Sequence, residues 1–414
     1  MNNTQKNTLP LQDVRILDLT RLIPGAVCTS MLGDAGAEVI KVEEPNTGDY
    51  ERQIHPFIGS MASRFLILNR NKKSVALNLK EDKGRKIFLE MAKEADVLVE
   101  GFRPGAMKNL GLDYESLRKI NQRLIYCSIS SFGQDGPYRD VVAHDINILG
   151  MAGFFDITGE KDRKPVIPGV QIADSVAGMN AALAILIALI GREKTDRGQF
   201  LDISMFDGVM SWMFDAARYS FAGETIPKRD KGRLWGGLPN YNLYETKDGK
   251  FLAVGSLESK FKRILLNKLG RDDCAGEEAE TTSSEITQTD EELHTFIRKI
   301  FLTKTRNEWI KEFDELNICV GPVNSLEEAL SHPQTVFREM VIKVDHPSAG
   351  RIKQMGSPLK FSDIPLDVNR LPAPRQGEHT REILCGLGYS ESRINELIKE
   401  NIVREEKTLG VVVK

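Results

Sequence analysis

A histidine and an aspartate thirty residues apart are the residues whose types and settings best fit chemistry. His144 lies in the segment 143–147, where an imidazole beside a carboxylate and an amide interrupts an apolar run. Asp174 stands at the start of the most apolar helical pattern in the chain, where a carboxylate is stabilised by the helix dipole. Imidazole titrates near neutral pH, so an acid and a base that face a common point would form a two-base proton-transfer site.

Both residues also have a structural interpretation. An aspartate before an apolar helix is commonly an N-cap, and a histidine beside an aspartate is commonly a hydrogen-bonded structural residue. The two residues alone leave both interpretations open.

The elements that would position these residues follow an α/β pattern in the first part of the chain. Apolar runs predict strands at 14–19, 38–43, 74–79, 96–100 and 124–129. Helical patterns alternate with them at 29–35, 82–95 and 114–121. This alternation predicts an open parallel sheet of Rossmann type, which binds its ligand beyond the carboxyl ends of the strands.

The usual nucleotide motifs are missing. Gly33 to Gly36 cannot replace the GxGxxG fingerprint, because this segment follows a predicted helix instead of opening one after a strand. No GxxxxGK[ST] phosphate loop occurs. Dehydrogenase and nucleotide hydrolase functions are therefore not favoured.

The second half of the chain has a different pattern. The runs at 235–245 and 251–255 predict strands paired in a hairpin, and the acidic, Thr- and Ser-rich stretch 271–292 predicts an exposed insertion. Residues 352–361 are strand-like, and 390–401 predict a last helix.

Composition restricts the class of protein. A chain of 414 residues with 41% hydrophobic content predicts two or three domains, and a net charge of −3 gives no general attraction to nucleic acid. Five scattered cysteines without metal-ligand spacing indicate a reducing compartment and no zinc site. The longest apolar stretch, 176–190, is too short to span a bilayer, and the first residues lack a signal core. We therefore expect a cytoplasmic protein that binds neither nucleic acid nor membrane.

Basic residues near predicted strand ends indicate an anionic ligand. Arg70 to Lys73 precede one strand, and Phe102 and Arg103 follow another, with Lys108 close behind. Such residues could hold a phosphorylated, adenine-bearing ligand, with the basic groups on phosphates and Phe102 beside the base. Solvated basic turns are the structural alternative.

Several segments resemble those of one family along nearly the whole chain. They are Ile16–Thr20, Gly36–Glu43, Asn71–Ser74, Leu77–Leu79, Phe102–Gly105, Leu110–Leu112, Gly133–Pro137, Gly198–Gln199 with Asp202, Gly321–Val323, His346–Pro347 and Gly377–Thr380. The chain thereby resembles the family III CoA-transferases, which include formyl-CoA and carnitine CoA-transferases and α-methylacyl-CoA racemase.

The resemblance implies a large Rossmann-like α/β domain with a parallel sheet and a smaller α+β domain. The first part of the large CoA-binding domain would be 1–220, the small domain 225–330, and 331–414 a segment that returns to the large domain. Members of the family form interlocked homodimers, so we expect a homodimer here. An acyl-CoA would be the substrate, with no metal and no cofactor beyond its CoA moiety. The implied CoA-binding residues are Ile67, Leu68, Asn71, Lys72, Lys73, Gly101, Phe102, Arg103, Lys108 and Asp145.

Two chemistries in the family share one aspartate, which matches Asp174. In the racemases this residue is paired with a histidine thirty residues earlier, as His144 is here, and an acid that matches Glu258 would orient the histidine. In the transferases the aspartate attacks the thioester and forms an anhydride. Our leading prediction is racemisation of 2-methyl-branched acyl-CoA esters, with an enolate stabilised by backbone N–H groups at the start of the Asp174 helix. The main alternative is CoA transfer between carboxylic acids.

Two positions depart from the family pattern. Glu44 and Asn109 stand where many relatives have arginines that contact CoA, and we expect Lys41 and Lys108 to compensate. A non-catalytic acyl-CoA-binding protein is a third possibility, although it would have to lack an acid or a base, and His144, Asp174 and Glu258 are all present. The identity of the acyl group is left open.

Overall fold

The computed structural model describes residues 8–271 and 288–406. The strands are β1 (Arg15–Asp18), β2 (Glu38–Glu43), β3 (Phe57–Ile58), β4 (Met61–Ala62), β5 (Lys72–Leu77), β6 (Val97–Glu100), β7 (Ile125–Ser130), β8 (Phe200–Ser204), β9 (Tyr241–Glu245), β10 (Phe251–Gly255), β11 (Val320–Pro322), β12 (Val341–His346), β13 (Gly350–Met355) and β14 (Val403–Arg404).

The helices alternate with these strands in the first half of the chain. They are α1 (Leu22–Asp34), α2 (Ser63–Leu68), α3 (Asp82–Lys93), α4 (Ala106–Asn109), α5 (Tyr114–Leu117), α6 (Asp145–Met151), α7 (Phe154–Ile157), α8 (Ile172–Thr195), α9 (Met205–Trp212), α10 (Phe214–Phe221), α11 (Ser259–Leu269), α12 (Gln288–Phe301), α13 (Arg306–Phe313), α14 (Leu326–Leu330), α15 (Pro333–Phe337), α16 (Thr380–Gly386) and α17 (Glu391–Lys399). Within the described residues, 3-10 turns occur at Tyr50–Gln53 and Asp314–Leu316.

The chain divides into two compact units. Of the described residues, the first contains 8–148, 170–209 and 333–406, and the second contains 149–169, 210–271 and 288–332. The limits predicted from the family resemblance, 1–220, 225–330 and 331–414, stay a prediction.

The first unit is built on a seven-stranded sheet in the order β14-β5-β2-β1-β6-β7-β8. Every neighbouring pair is parallel except β14 and β5, which are antiparallel. The predicted α/β class with a large parallel sheet is confirmed. The chain runs from β1 toward β2 and β5 on one side, and β6, β7 and β8 follow on the other. The carboxyl ends of β1 and β6 therefore flank a topological switch point, where open α/β sheets bind their ligands.

Helix α1 is longer than the pattern predicted. It begins at Leu22 and not at Thr29, because Pro24 lies in its first turn, where a missing N–H costs no hydrogen bond. Strand β13 ends at Met355, short of the predicted Phe361. The hairpin predicted in the second half is confirmed by β9 and β10, which pair antiparallel. Of the predicted acidic insertion, residues 272–287 lie outside the described residues.

The second unit has its own sheet and core. Its three strands are ordered β11-β10-β9 and pair antiparallel. Apolar side chains of α11, α12 and α13 pack on them, with Phe301 and Trp309 edge to face at 5.2 Å between ring centroids. This unit is therefore a small α+β layer of sheet and helices.

Helix α8 is long and apolar enough to span a membrane by length and composition, with a mean hydropathy of 1.9 over its most apolar window. Half of that window is buried inside the protein, where α8 packs on α1, β7 and β8. A core helix of a soluble protein has the same character, so the predicted absence of a membrane span stays a prediction.

Glycine lets α8 approach α1 closely. A Cβ atom at Gly178 would lie 2.5 Å from the carbonyl oxygen of Pro24 and 2.8 Å from the Cβ of Val27. Because Asp174 is one turn earlier on the same helix, this contact also sets where Asp174 lies relative to the start of α1.

We expect Gly178→Ala to lower the free energy of unfolding by about 1–3 kcal/mol, because the added methyl group overpacks the contact between α8 and α1. Gly191 on the same helix is a matched control, since a Cβ there meets nothing within 4 Å. Gly191→Ala should raise stability by about 0.5–1 kcal/mol through helix propensity. Urea denaturation of both variants measures the difference, and equal stabilities would contradict the close approach.

Candidate functional site

Four buried charged side chains hold the loop after β1. Lys72 Nζ lies 3.3 Å from Asp18 Oδ2, and Lys41 Nζ lies 2.7 Å from Asp49 Oδ2, with all four side chains fully buried. The paired lysines hold the pKa of Asp18 at about 2, against the opposing effect of burial, so this carboxylate is charged throughout the physiological range. We call these four residues the buried ion cluster.

The buried ion cluster binds the backbone directly. Lys41 Nζ donates to the carbonyl oxygen of Thr20 at 2.8 Å, the Thr20 backbone N–H donates to Asp18 Oδ1 at 2.9 Å, and the Leu22 N–H donates to Asp49 Oδ1 at 3.3 Å. Leu22 has φ +64°, a left-handed conformation that is rare for a side chain of this size. The cluster therefore fixes the strained turn between β1 and α1.

A cleft of about 710 Å³ opens at the carboxyl end of the sheet in the first unit. Its walls are the turn after β1, the turn after β6 and the end of β7, together with the segment before α6 and the start of α8. Five predicted site residues line it: Gly101, Phe102, Arg103, His144 and Asp174. The structure thus brings together the two residues with which the sequence analysis began.

His144 lies directly before α6, and its own backbone begins that helix. Its carbonyl oxygen accepts from the N–H of Ile148 at 3.2 Å, and its N–H donates to Asn147 Oδ1 at 3.0 Å. These backbone bonds fix the residue without using the imidazole, which is exposed and lines the cleft. The ring is therefore available for a ligand.

Asp174 occupies the third position of α8, and Gln171 is the N-cap. Its carboxylate lines the cleft and is half-buried. Desolvation, together with the negative charges of Asp145 and Glu51, raises the pKa of Asp174 to about 7, and the positive charge of Arg64 opposes this shift. The structural interpretation as a capping residue does not apply, and the carboxyl group can take or release a proton near neutral pH.

Asp145 links the two residues. Its Oδ1 accepts hydrogen bonds from the backbone N–H of Ala173 at 2.6 Å and of Asp174 at 3.3 Å, so the first residue of α6 is tied to the start of α8. We predicted that N–H groups at this helix start stabilise an enolate oxygen. That prediction is wrong for these two groups, because Asp145 already occupies them.

The other predicted site residues do not line the cleft. The CoA contact predicted for Lys72 and the compensation predicted for Lys41 are wrong. Both ammonium groups are fully buried in the buried ion cluster, so neither can reach a phosphate in the cleft or replace a missing arginine. Asn71 is buried and donates to Asp34, and Lys73 pairs with Glu38 and Glu382. Ile67 and Leu68 lie on α2, and Lys108 lies exposed on α4. The CoA contacts of these five residues stay predictions.

Glu258 belongs to the second unit, where it is the exposed N-cap residue of α11. Its predicted role in orienting His144 stays a prediction.

Glu44 accepts hydrogen bonds from Asn46 and from Thr47, and so caps its own turn. Asn109 is exposed at the end of α4.

Sequence reasoning missed three basic residues around the ligand cavities. Arg21 and Arg139 line the cleft, and Lys80 lines a smaller cavity of about 150 Å³ with mostly aliphatic walls. Arg21 and Phe102 line both cavities. Arg21 could have been found from its place after the first strand, whereas Arg139 lies in a loop with no distinguishing pattern.

Comparisons with known proteins agree with this fold and show the family. The sequence matches the family model described as CoA-transferase family III over residues 11–380. It is 34% identical over 401 residues to succinyl-CoA:glutarate CoA-transferase of Mus musculus, covering 96% of this chain and 91% of that protein. It is 35% identical over 412 residues to alpha-methylacyl-CoA racemase of Mus musculus, covering 96% of this chain and 98% of that protein.

A solved structure is also similar. The crystal structure of a CAIB/BAIF family protein from Brucella suis superimposes with a TM-score of 0.79 at 32% identity, covering 92% of this chain and all of that one. The chain belongs to the family III CoA-transferases, and it is an enzyme of this group of transferases and racemases. Several further relatives are named CoA-transferases, so the relatives favour CoA transfer over the racemisation that was our leading prediction.

Removing the charge of Asp145 should lower the pKa of Asp174. In Asp145→Asn the amide oxygen can still accept from Ala173, but the negative charge that disfavours ionisation of Asp174 is gone. We expect the pKa of Asp174 in this variant to fall below about 7. The measurement is a ¹³C NMR titration of labelled aspartate, with the signal assigned by its loss in Asp174→Asn.

Asp140→Asn is the control, because Asp140 also lines the cleft but pairs with Arg139 at 3.4 Å. An equal shift in both variants, or an unchanged titration in Asp145→Asn, would refute the specific coupling between Asp145 and Asp174.

Proposed function

We propose that this protein transfers CoA between carboxylic acids, with Asp174 as the nucleophile. The observation that carries the proposal is the Asp174 carboxylate in the cleft, with no ion pair or side-chain hydrogen bond within the described ranges of the chain. A carboxylate that is neither paired nor capped keeps its oxygens available for attack. The transferase names of several relatives support the same chemistry.

The reaction balances without any other reactant. An oxygen of Asp174 attacks the thioester carbonyl, and CoA leaves as a thiolate, which gives an acyl-aspartyl anhydride. The thiolate then attacks the aspartyl carbonyl and releases the first acid. An acceptor carboxylate attacks the resulting aspartyl thioester and expels the CoA thiolate, which gives a second anhydride. The thiolate then attacks the acceptor's carbonyl carbon, forms the new acyl-CoA and releases the Asp174 carboxylate. With a pKa of about 7, a substantial fraction of Asp174 is ionised at neutral pH before substrate binds.

The cleft also suits the CoA moiety. Arg21, Arg103 and Arg139 supply positive charge for phosphates. The smaller cavity, with Phe102 on one wall and aliphatic side chains around it, suits a flat adenine ring. We therefore propose that CoA reaches from the smaller cavity into the cleft, with its thioester toward Asp174. This proposal retains Phe102 and Arg103 as CoA contacts.

Racemisation of a 2-methyl-branched acyl-CoA is the second candidate, and His144 is the observation that favours it. An imidazole and a carboxyl group share one cleft, and the pKa of the carboxyl group is about 7, which suits a group that exchanges a proton with the substrate. In this mechanism one group removes the α-proton while the other delivers a proton to the opposite face. Glu258 would then orient His144.

A trapping experiment tests the transferase. The protein is incubated with succinyl-CoA and hydroxylamine, and the peptide that contains Asp174 is analysed by mass spectrometry. An anhydride or aspartyl thioester should give the hydroxamate of Asp174, and acetate or glutarate added without hydroxylamine should acquire CoA. Asp174→Asn should abolish both results, whereas His144→Ala should retain a good part of the transfer.

The same samples in D2O distinguish the second candidate. Deuterium at the α-carbon of a 2-methylacyl-CoA, with loss of optical purity, no acceptor and no hydroxamate, would refute the transferase and support racemisation. His144→Ala should then abolish the exchange, while His55→Ala, at an exposed histidine that lines neither cavity, serves as the control.

We also propose that the protein is a homodimer and that α8 contributes to the interface. Its exposed apolar side chains recur on one helix face at Met179, Leu183, Leu186, Ile187 and Ile190, with 37–65% of each residue exposed. A contiguous apolar face of this kind is unusual on a monomer and suits a second copy of the chain.

Placing a charge on this face should separate the subunits. We expect Ile187→Lys to be monomeric, because a buried lysine without a partner is costly in an apolar interface. Ile120→Lys, at an exposed apolar residue after α5, is the control and should keep the wild-type mass. Size-exclusion chromatography with light scattering measures the mass, and a monomeric wild type would exclude the homodimer.

A further inference from the structure

Arg21 stands where the two ligand cavities meet. It lines the cleft that contains His144 and Asp174, and it also lines the smaller aliphatic cavity. Among the described residues, Phe102 is the one other residue that lines both cavities. A ligand that extends from one cavity into the other must therefore pass the Arg21 guanidinium.

Two aromatic rings hold this guanidinium in place. Its central carbon lies 5.2 Å from the ring centroid of Tyr50 and 5.4 Å from that of Phe102, and its Nη1 donates to the Tyr50 hydroxyl at 3.1 Å. Contact with the two rings restricts the guanidinium, and apart from the Nη1 bond to Tyr50 its N–H groups donate to nothing in the described residues, so they can bind an anion. Less conformational freedom is then lost when a ligand binds.

The backbone of Arg21 is fixed as well. Its neighbours Thr20 and Leu22 are the two residues that the buried ion cluster binds, and Leu22 is in the strained left-handed conformation. Strain of this kind persists only where the surroundings enforce it, and it is concentrated at functional sites. The fold thus stabilises an unfavourable turn, and this turn sets the position of Arg21.

The charge of Arg21 is not neutralised by the protein. Across residues 8–271 and 288–406, no carboxylate lies within ion-pair distance of it. Glu44 in the smaller cavity is turned toward its own loop, where its carboxylate accepts from Asn46 and Thr47. A fixed, uncompensated guanidinium that lines a cavity is a site for an anion.

We propose that Arg21 binds a phosphate of CoA and so fixes the cofactor portion of the substrate between the two cavities. The inference rests on the proposed function, in which CoA occupies both. A phosphate fits better than the carboxylate of an acyl group, because Arg21 lies at the boundary of the smaller cavity, whereas His144 and Asp174 line only the cleft. The reacting carbon must lie near those two residues, and the phosphates of CoA lie at the other end of the pantetheine arm.

Isothermal titration of the full chain with CoA tests the inference. Arg21→Ala should weaken CoA binding by about 10-fold to 100-fold, the loss of one charge-assisted contact. Arg21→Lys should recover part of this lost affinity, because lysine retains the positive charge but lacks the forked N–H groups of the guanidinium. Pantetheine, which has no phosphate, should bind both variants as it binds the wild type.

Two further ligands identify the anion. With 3′-dephospho-CoA, a persisting loss assigns Arg21 to the diphosphate, and a vanishing loss assigns it to the 3′-phosphate; either result supports the proposal. A loss that also appears with pantetheine overturns it, as does a loss that appears with succinyl-CoA but not with acetyl-CoA, which would make Arg21 a carboxylate-binding residue.

Arg118→Ala is the matched control. Arg118 also lies over a tyrosine, with its guanidinium carbon 5.7 Å from the Tyr114 ring centroid, but it pairs with Glu115 and lines neither cavity. Its substitution should leave CoA binding unchanged, and melting temperatures check that all variants fold. If the wild type binds CoA and Arg21→Ala binds it equally well, only this inference fails. A wild type that binds no CoA overturns the proposed function together with it.

Discussion

The pairing of Asp18 with Lys72 and of Lys41 with Asp49 is the interaction on which the site depends. Any one of these charges alone would be far too costly to bury, but as pairs that also bind backbone groups they are stable in the interior. Their partners come from β1, β2, β5 and the loop after β2, so the pairs form only when the central strands have the correct register. The register of the central strands therefore determines where the turn that contains Arg21 lies.

Much of the fold follows from local sequence. Short segments rich in Val, Ile and Leu at β1, β2, β6 and β7 indicate strands of a buried sheet, and the helical patterns between them favour parallel pairing. The two residues meet because His144 follows β7 and Asp174 lies at the start of the helix that leads to β8, the neighbouring parallel strand. Their types and spacing suggested a pair, but the choice between a reacting pair and two structural residues depended on the resemblance and on the cleft.

The remaining features depend on partners distant in sequence. A lysine at the beginning of a strand, such as Lys72, suggests a phosphate contact until Asp18 is found beneath it, 54 residues away. The stacking of Arg21 joins loops that follow different strands, and the bonds from Ala173 and Asp174 to Asp145 join two helix starts. No periodicity in the sequence encodes such contacts. The choice between transfer and racemisation depends likewise on how His144 and Asp174 meet a substrate, which residue types alone do not decide.

The discontinuity of the first unit has a consequence for biosynthesis. Strand β14 completes the edge of the large sheet beside β5, yet all of 210–332 is translated between β8 and the segment that carries β14. The ribosome therefore releases the second unit while β5 still has an unpaired edge, the kind of surface on which nascent chains associate wrongly. Because β14 comprises only Val403 and Arg404, this edge of β5 stays unpaired until that segment has emerged from the ribosome.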